Sequence, residues 1–394
     1  MKLGDVAATC MMLGATEEAE TCLKMVLADR PDDEQALLNY ATLCRRTNRL
    51  EKAIGLVSKY LDSHKEIRPE AWLTFGLLCE DFGKFKEAAG AYGKALAKEP
   101  GDQNTAIGYG SSLMRLQRFD EGFPHWDYGR FMSAWQPIPG IGIWNGADPK
   151  GKRILVIREG GYGDGIMFAR WIPKLIEAGA EIGFFVWDSL HPLLANLGCR
   201  LIGEKDPIDT TEWDFCCSLL SLPRLCGMHA LEDIPEPVTI SGVEPRKPEG
   251  IQTVGLCWAA EENGESRKHR SMTLADIEPL KSTEKIFCSL CPGIAAPDWV
   301  RPHTAGKQGW ATDARVIAGL DLVITVDTAV AHLAGSMGVP TWLLLPMYSS
   351  WQWFTPETFA YTTPWYKSVR VFRQKDAIKW DGVVEEVEVA LLNA

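Results

Sequence analysis

The chain of 394 residues lacks any apolar run long enough to cross a bilayer; its longest are pieces such as 182–187 and 341–345. Its opening, Met1-Lys2-Leu3-Gly4-Asp5, lacks the apolar core of a secretion signal. Positive charge is not in excess: 41 Lys and Arg stand against 52 Asp and Glu, a net charge of -11. Residues 1–132 hold 17 basic and 20 acidic side chains (net -3), and the remainder 24 and 32 (net -8), so the acidity is spread. A protein that grips nucleic acid needs a basic face, so duplex DNA is disfavoured as a partner, although a local basic pocket stays open. Cys288 and Cys291 form a C-x-x-C, but there is no second pair at zinc spacing, so a closed zinc site lacks ligands. The eleven cysteines are scattered, several of them (Cys44, Cys79, Cys257) inside apolar runs. They read as buried reduced thiols, which points to a cytoplasmic location with no membrane span.

What is present is enough apolar residue, 46%, for real cores and enough length for two or three domains. Small residues recur at Ala7, Ala41, Gly76 and Gly110, and again at Ala19, Ala53, Ala88 and Gly122, both series stepping by 34, 35 and 34. Pro31 and Pro100 close two of these units, and Gly14, Asn48 and Gly83 fall at their midpoints. The fullest copy is Trp72-Leu73-Thr74-Phe75-Gly76 with Ala88, Tyr92, Ala95 and Pro100 after it. This pattern resembles the tetratricopeptide repeat, a helix–turn–helix unit. Small residues let two helices approach closely, and no unit buries its apolar face alone, so four must stack. The fourth is degenerate, with Gly122, Pro124 and Trp126. Such an array either binds peptides or only buttresses the second domain; the sequence favours neither.

Residues 133–150, rich in Pro, Gly and Trp, read as a linker. Short apolar runs then alternate with helical stretches. Strands are expected at 153–157, 182–186 and 213–219, with helices at 166–178 and 190–197. A proline-dense joint holds Pro235, Pro237, Pro245 and Pro248. The alternation restarts with strands at 253–259, 286–290, 322–326 and 341–345 and helices at 274–281, 313–320, 329–337 and 381–392. Two blocks of this kind imply two doubly wound domains facing a cleft, with ligands outside the carboxyl ends of the strands.

The loops at those ends carry the candidate chemistry. The first is Arg158-Glu159-Gly160-Gly161-Tyr162-Gly163-Asp164-Gly165. It is not G-x-G-x-x-G, because Ile166 stands at the third position, and no P-loop is present. Asp164 either caps the next helix or projects into the cleft as a base. The second runs from Val326 through Asp327, Thr328 and Ala329 to His332, and the helix amides there suit a pyrophosphate. Thr328 and His332 share a helix face at i, i+4; His332 is equally a satisfied core histidine. The third is Arg267-Lys268-His269-Arg270, after the strand containing Trp258. It reads as a counter-charge for a leaving phosphate or as a solvated charge run. The fourth gathers Tyr348, Trp351, Trp353, Phe354, Trp365 and Tyr366, rings for stacking a ligand or for packing.

Together, ILVIREGGYGDGIMFAR (154–170), 254–260 with Arg270-Ser271, 287–290, 320–346 with its VDTAVAHLAG, and PWYKSVRVFRQ (364–374) resemble the heptosyltransferase family of glycosyltransferases. The resemblance, to tetratricopeptide proteins with such a C-terminal part, covers nearly the whole chain. It implies the GT-B fold, two doubly wound Rossmann-like α/β halves, behind an all-α repeat domain. The implied domains are 1–132 (repeats), 133–150 (linker), 151–245 (acceptor side) and 246–394 (nucleotide-sugar side with a C-terminal helix). The family's base falls on Asp164. Its D-T-x-x-x-H element for donor phosphates falls on Asp327, Thr328 and His332, and its basic donor contact on Lys268, with Arg270 second. Gly163, Gly165, Trp258 and Ala329 support them. The expectation is an inverting, metal-independent transferase that moves a sugar from a nucleotide-sugar to a hydroxyl of a protein, saccharide or modified nucleobase, with no cofactor. No D-x-D pair occurs in the C-terminal half, so charge stabilisation falls to protein groups. The alternative is a non-catalytic interaction protein in which the α/β part is a nucleotide-binding remnant.

Overall fold

The computed structural model describes residues 3–133, 135–260, 270–291, 293–302, 309–375 and 379–393. The chain divides into two compact units, Met1–Ala134 with Ser350–Gln352, and Trp135–Ser349 with Trp353–Ala394.

The first unit is all helix: α1 (Leu3–Leu13), α2 (Thr16–Asp29), α3 (Glu34–Arg46), α4 (Leu50–Ser63), α5 (Pro69–Asp81), α6 (Phe85–Lys98), α7 (Gln103–Arg115) and α8 (Phe119–Ser133). Successive helices pack as pairs. Each pair turns on a residue with positive φ: Gly14 at 75°, Asn48 at 57°, Gly83 at 70° and Gln117 at 60°. The first three match the sequence expectation. Gln117 shows that the fourth unit, degenerate in sequence, makes the same turn without a glycine. Asp33 and Asp102, each two residues after a proline, accept the backbone N–H of Ala36 (2.9 Å) and Thr105 (2.6 Å), capping the first helix of alternate units. The small residues Ala7, Ala19, Ala41, Ala53 and Ala88 are fully buried. A side chain on Gly76 would start 2.5 Å from the Tyr92 ring, so the pairs close only because these positions are small. Glu80 is buried between them, accepting from Tyr92 (2.7 Å) and Ser112 (3.2 Å); burial pushes its carboxyl pKa up. Within this unit the Trp351 ring meets Phe123 and Trp126 edge-on at 5.9 and 5.6 Å.

The second unit holds two parallel sheets. One has the order β1-β5-β2-β3-β4, from β1 (Gly142–Ile143), β2 (Arg153–Ile157), β3 (Glu181–Phe185), β4 (Arg200–Ile202) and β5 (Phe215–Ser218). The other has the order β11-β10-β9-β6-β7-β8, from β6 (Thr253–Cys257), β7 (Ile286–Ser289), β8 (Val300–Arg301), β9 (Leu322–Val326), β10 (Thr341–Leu345) and β11 (Val369–Arg373). Every strand pair is parallel. Counted from its own first strand, the second sheet is 3-2-1-4-5-6, the doubly wound order. Its strand order reverses between β6 and β9, and that of the first sheet between β2 and β5. Asp321 pins β9 to β6 at the amino ends, accepting from the Thr253 backbone (2.8 Å) and hydroxyl (2.8 Å).

Three departures from the sequence reading matter. The expected linker supplies β1, an edge strand paired to β5 at Gly142↔Phe215. The helix expected from residue 166 starts earlier, as α9 (Tyr162–Phe168), so Asp164 sits in its first turn. Strands β4, β8 and β11 are short or carry charged residues and show no apolar run. All eleven cysteines are free; six are buried (Cys44, Cys79, Cys216, Cys217, Cys257, Cys291) and the other five half-buried.

Candidate functional site

Both reversal points of strand order face the same cluster of side chains. The chain leaves β2 through Arg158–Gly161, and Glu159 accepts a hydrogen bond from Ser218 at the end of neighbouring β5. Gly160, at φ 78°, makes the turn; a Cβ there would lie 2.3 Å from Asp164 Oδ2. The Gly161 N–H donates to that Oδ2 at 2.8 Å, so the capping reading of Asp164 is realised. Capping does not exhaust its chemistry. Removal from water raises the Asp164 pKa to about 6, the Gly161 N–H opposes the rise, the Asp327 and Glu159 charges add to it, and Arg270 opposes it.

α9 packs directly on the helix Ala329–Ser336, which comes after β9. Gly163 permits this: a Cβ would sit 2.7 Å from His332 Cδ2 and 3.3 Å from Ala329 Cα. On the other side Gly165 admits Leu190 and Trp187, at 3.0 and 3.1 Å from a Cβ position. Tyr162 lies between Trp187 (4.9 Å) and Trp310 (5.4 Å).

Asp327 and His332 are buried. Asp327 Oδ2 lies 3.6 Å from Arg270 Nη1. Burial raises the Asp327 pKa, while Arg270 and a hydrogen bond from Trp353 hold it down. Thr328 begins the helix, but its hydroxyl does not cap it. The hydroxyl turns to Thr325 Oγ1 (3.1 Å) and Cys257 Sγ (3.7 Å). His332 Nδ1 lies 2.9 Å from the Tyr366 hydroxyl, and its ring stacks on Trp353 at 5.2 Å and 21°. Burial first, then the charges of Arg170 and Arg270, push the His332 pKa down to about 3, so the imidazole is neutral. His332 is thus a satisfied, uncharged histidine, and any part it plays toward a phosphate is that of an N–H donor.

Trp258 is buried; its backbone N–H donates to Cys291 Sγ (3.2 Å) and its carbonyl accepts from the Met272 N–H (2.7 Å). Lys268, with Arg267 and His269, lies outside the described residues. Of the aromatic cluster, Trp351, Trp353, Phe354, Trp365 and Tyr366 are all buried, and Tyr348 is exposed. Among the described residues no group of three or more His, Cys, Asp or Glu is arranged to hold a metal ion.

Two participants escaped the sequence reading. Glu159 lies next to the glycines that drew attention. Arg170 is buried, with Nη1 reaching both the Pro235 carbonyl (3.2 Å) and the Trp365 carbonyl (3.0 Å). A fully buried arginine is the signal, but burial is visible only in the fold.

A family model for the tetratricopeptide repeat matches residues 13–69. The N-terminal region is a tetratricopeptide-like helical array, and a parallel-sheet α/β region comes after it. Protein FlbA of Caulobacter vibrioides is 24% identical over 472 residues, spanning 98% of this chain and 78% of that protein. Two solved repeat proteins are similar over about a third of the chain. MamA is 18% identical with a TM-score of 0.30, covering 32% of this chain and 74% of its own. YrrB, described as a TPR protein with an unusual peptide-binding site, is 14% identical with a TM-score of 0.30, covering 35% and 68%. No helix of the described residues is long and apolar enough to cross a membrane.

Proposed function

We propose that the α/β region is an inverting glycosyltransferase of the heptosyltransferase type, with the GT-B arrangement, using a nucleotide-sugar donor. One observation carries the reading: an aspartate whose pKa is raised to about 6 stands with an arginine–aspartate pair where the carboxyl ends of two doubly wound sheets converge. Asp164 takes the proton of an acceptor hydroxyl as that oxygen attacks the anomeric carbon. The bond from that carbon to the diphosphate breaks on the opposite face. The departing negative charge meets Arg270, the start of the helix Ala329–Ser336 and the neutral N–H of His332. Lys268 is assigned the same task on family resemblance alone. The reaction as written uses no cofactor beyond the donor. Tetratricopeptide arrays present extended concave surfaces for peptides and proteins, and we assign acceptor or partner binding to them.

The test is turnover of a panel of nucleotide-sugars, read by release of nucleoside diphosphate. Nucleotide binding without transfer or hydrolysis of any donor would make the chain an interaction protein with a nucleotide-binding remnant. A second prediction separates the two groups at the phosphate end. Arg270→Ala is expected to weaken nucleoside diphosphate binding about 10- to 100-fold, the usual effect of losing a charged hydrogen bond. The deficit shrinks as salt rises, because part of it is charge attraction. Thr328→Ala is expected to cost less, since its hydroxyl is already engaged with Thr325. Calorimetric titration with uridine diphosphate at two salt concentrations checks both. Unchanged affinity in both variants removes the proposed phosphate site.

A further inference from the structure

Two buried thiols take no part in the reaction described above. Cys257 ends β6, and Cys291 comes two residues after β7, the neighbouring strand of the same sheet. Each is 1% exposed. Their sulfurs lie 3.9 Å apart, with the Cys291 S–H donating to Cys257 Sγ. A disulfide holds its sulfurs about 2 Å apart, so about 2 Å of sulfur movement closes the bond. Both sulfurs also face the Ala259 carbonyl, at 3.6 Å from Cys257 and 3.9 Å from Cys291, and the Trp258 backbone N–H donates to Cys291 Sγ. The chain leaving β6 thus holds the two thiols against each other.

The two sulfurs are not alike. Burial pushes the thiols of Cys79, Cys199 and Cys226 up to about 12. Cys257 goes the other way: the proton offered by Cys291 holds it below the ordinary thiol range against the effect of burial. Burial first, and then Cys257, hold Cys291 above that range. Of the pair, Cys257 is the nucleophile and Cys291 the resolving thiol. Cys257 also touches the phosphate end of the candidate site. Thr325 Oγ1 gives its single proton to Val326 O at 2.7 Å. In the 3.1 Å contact between the two hydroxyls, Thr328 must therefore donate to Thr325. The Thr328 oxygen is left to accept, and the Cys257 S–H stands 3.7 Å from it.

We propose that Cys257 and Cys291 form a dithiol–disulfide couple, oxidised by a small hydroperoxide, that switches the phosphate end of the site. Burial excludes bulky disulfide reagents, so the oxidant is hydrogen peroxide or a hydroperoxide of similar size. The Cys257 thiolate attacks one peroxide oxygen and the O–O bond breaks, leaving a sulfenic acid. The departing hydroxide takes the proton that Cys257 released and leaves as water. The Cys291 sulfur then attacks Cys257 Sγ, the S–O bond breaks, and the second hydroxide leaves as water with the Cys291 proton. The two sulfurs together lose two electrons, which the peroxide gains. In the disulfide Cys257 Sγ carries no proton and is drawn toward Cys291. Thr328 then loses its S–H partner at the start of the helix Ala329–Ser336. This effect on a donor rests on the functional reading above; the couple does not.

The experiment treats the reduced full chain with hydrogen peroxide, blocks the remaining thiols with N-ethylmaleimide under denaturing conditions and maps the peptides by mass spectrometry. The expected result is a Cys257–Cys291 cross-linked pair, lighter by two hydrogens, that dithiothreitol reverses. Calorimetry is expected to show uridine diphosphate binding about three- to tenfold weaker in the oxidised chain and restored on reduction. Cys291→Ala removes the resolving thiol and is expected to leave Cys257 as a sulfenic acid that dimedone traps. Wild-type protein in which Cys257 and Cys291 both carry maleimide, while other thiols are oxidised, overturns the couple. A cross-link that leaves uridine diphosphate affinity unchanged overturns the switch. The same measurements separate the proposal from the functional reading. A cross-link in a chain whose reduced form binds no uridine diphosphate ends the donor assignment and leaves the couple intact. Binding with no cross-link does the reverse.

Discussion

Asp164→Asn is expected to lower the transfer rate about 10²- to 10⁴-fold, the usual scale for removing a positioned acid–base group, with nucleoside diphosphate affinity retained. The amide keeps an oxygen to accept the Gly161 N–H, so the first turn of α9 stays capped. What is lost is the ability to take a proton. Under the proposed reaction, the pKa near 6 sets the pH dependence expected of the wild type. The base is protonated below that value, so activity rises with pH through about 6 and then levels. The same shift has a consequence for stability. The folded pKa lies above the ordinary aspartate value of about 4, so the unfolded chain gives up this proton first. Stability therefore falls as pH rises from about 4 through 6, because the folded state must then carry a desolvated charge. Asparagine avoids that charge. Asp164→Asn is thus expected to melt no earlier than the wild type at neutral pH, while losing activity. Early melting with normal turnover per folded molecule would reduce Asp164 to a cap.

This pairing of lost activity with undiminished stability is what separates a functional carboxylate from a structural one. It also shows why Asp164 was legible in the sequence only as a choice between two roles. The glycines around it announce a tight turn after a strand, and a carboxylate three residues beyond a turn is a cap by default. Its raised pKa comes first from burial and then from the Asp327 and Glu159 charges, which the chain order does not reveal. The same holds for His332: its spacing from Thr328 is written in the helix period, but its neutral state depends on burial first and then on the charges of Arg170 and Arg270. Arg170 and Trp365 are 195 positions apart and meet only when the two halves close on the joint. Local period therefore disclosed the repeats, most strands and the loops at their ends. It did not disclose β11, whose Arg370 and Arg373 interrupt the apolar pattern, or the turn at Gln117. The repeat spacing implies a turn there, yet the residue type conceals it.

Gly110→Val is expected to destabilise the helical unit by about 3 kcal/mol or more, at the upper end of overpacking effects. The repeat spacing places Gly110 where Ala41 stands two units earlier, and Gly122 where Ala53 stands. The alanine pair is buried without conflict. In the fourth unit the approach is tighter. A Cβ on Gly110 would lie 2.6 Å from both the Gly122 carbonyl oxygen and the Trp126 nitrogen. These are backbone atoms, which no rotamer change can move aside. A Cβ on Gly122 would in turn meet Met114 Cγ at 2.7 Å and the Gly110 carbonyl oxygen at 2.8 Å. To admit valine, α7 and α8 must separate, and Leu113, Met114, Phe119 and Phe123, all buried, would lose their packing together. The gain in helix propensity on replacing glycine, below about 1 kcal/mol, is too small to offset this. Gly90 in α6 supplies the control, because a Cβ there meets nothing within 4 Å. Gly90→Ala is expected to stabilise by up to about 1 kcal/mol through propensity alone. Thermal unfolding of the full chain by circular dichroism compares the two variants. Equal melting of Gly110→Val and wild type would mean that α7 and α8 do not need their close approach.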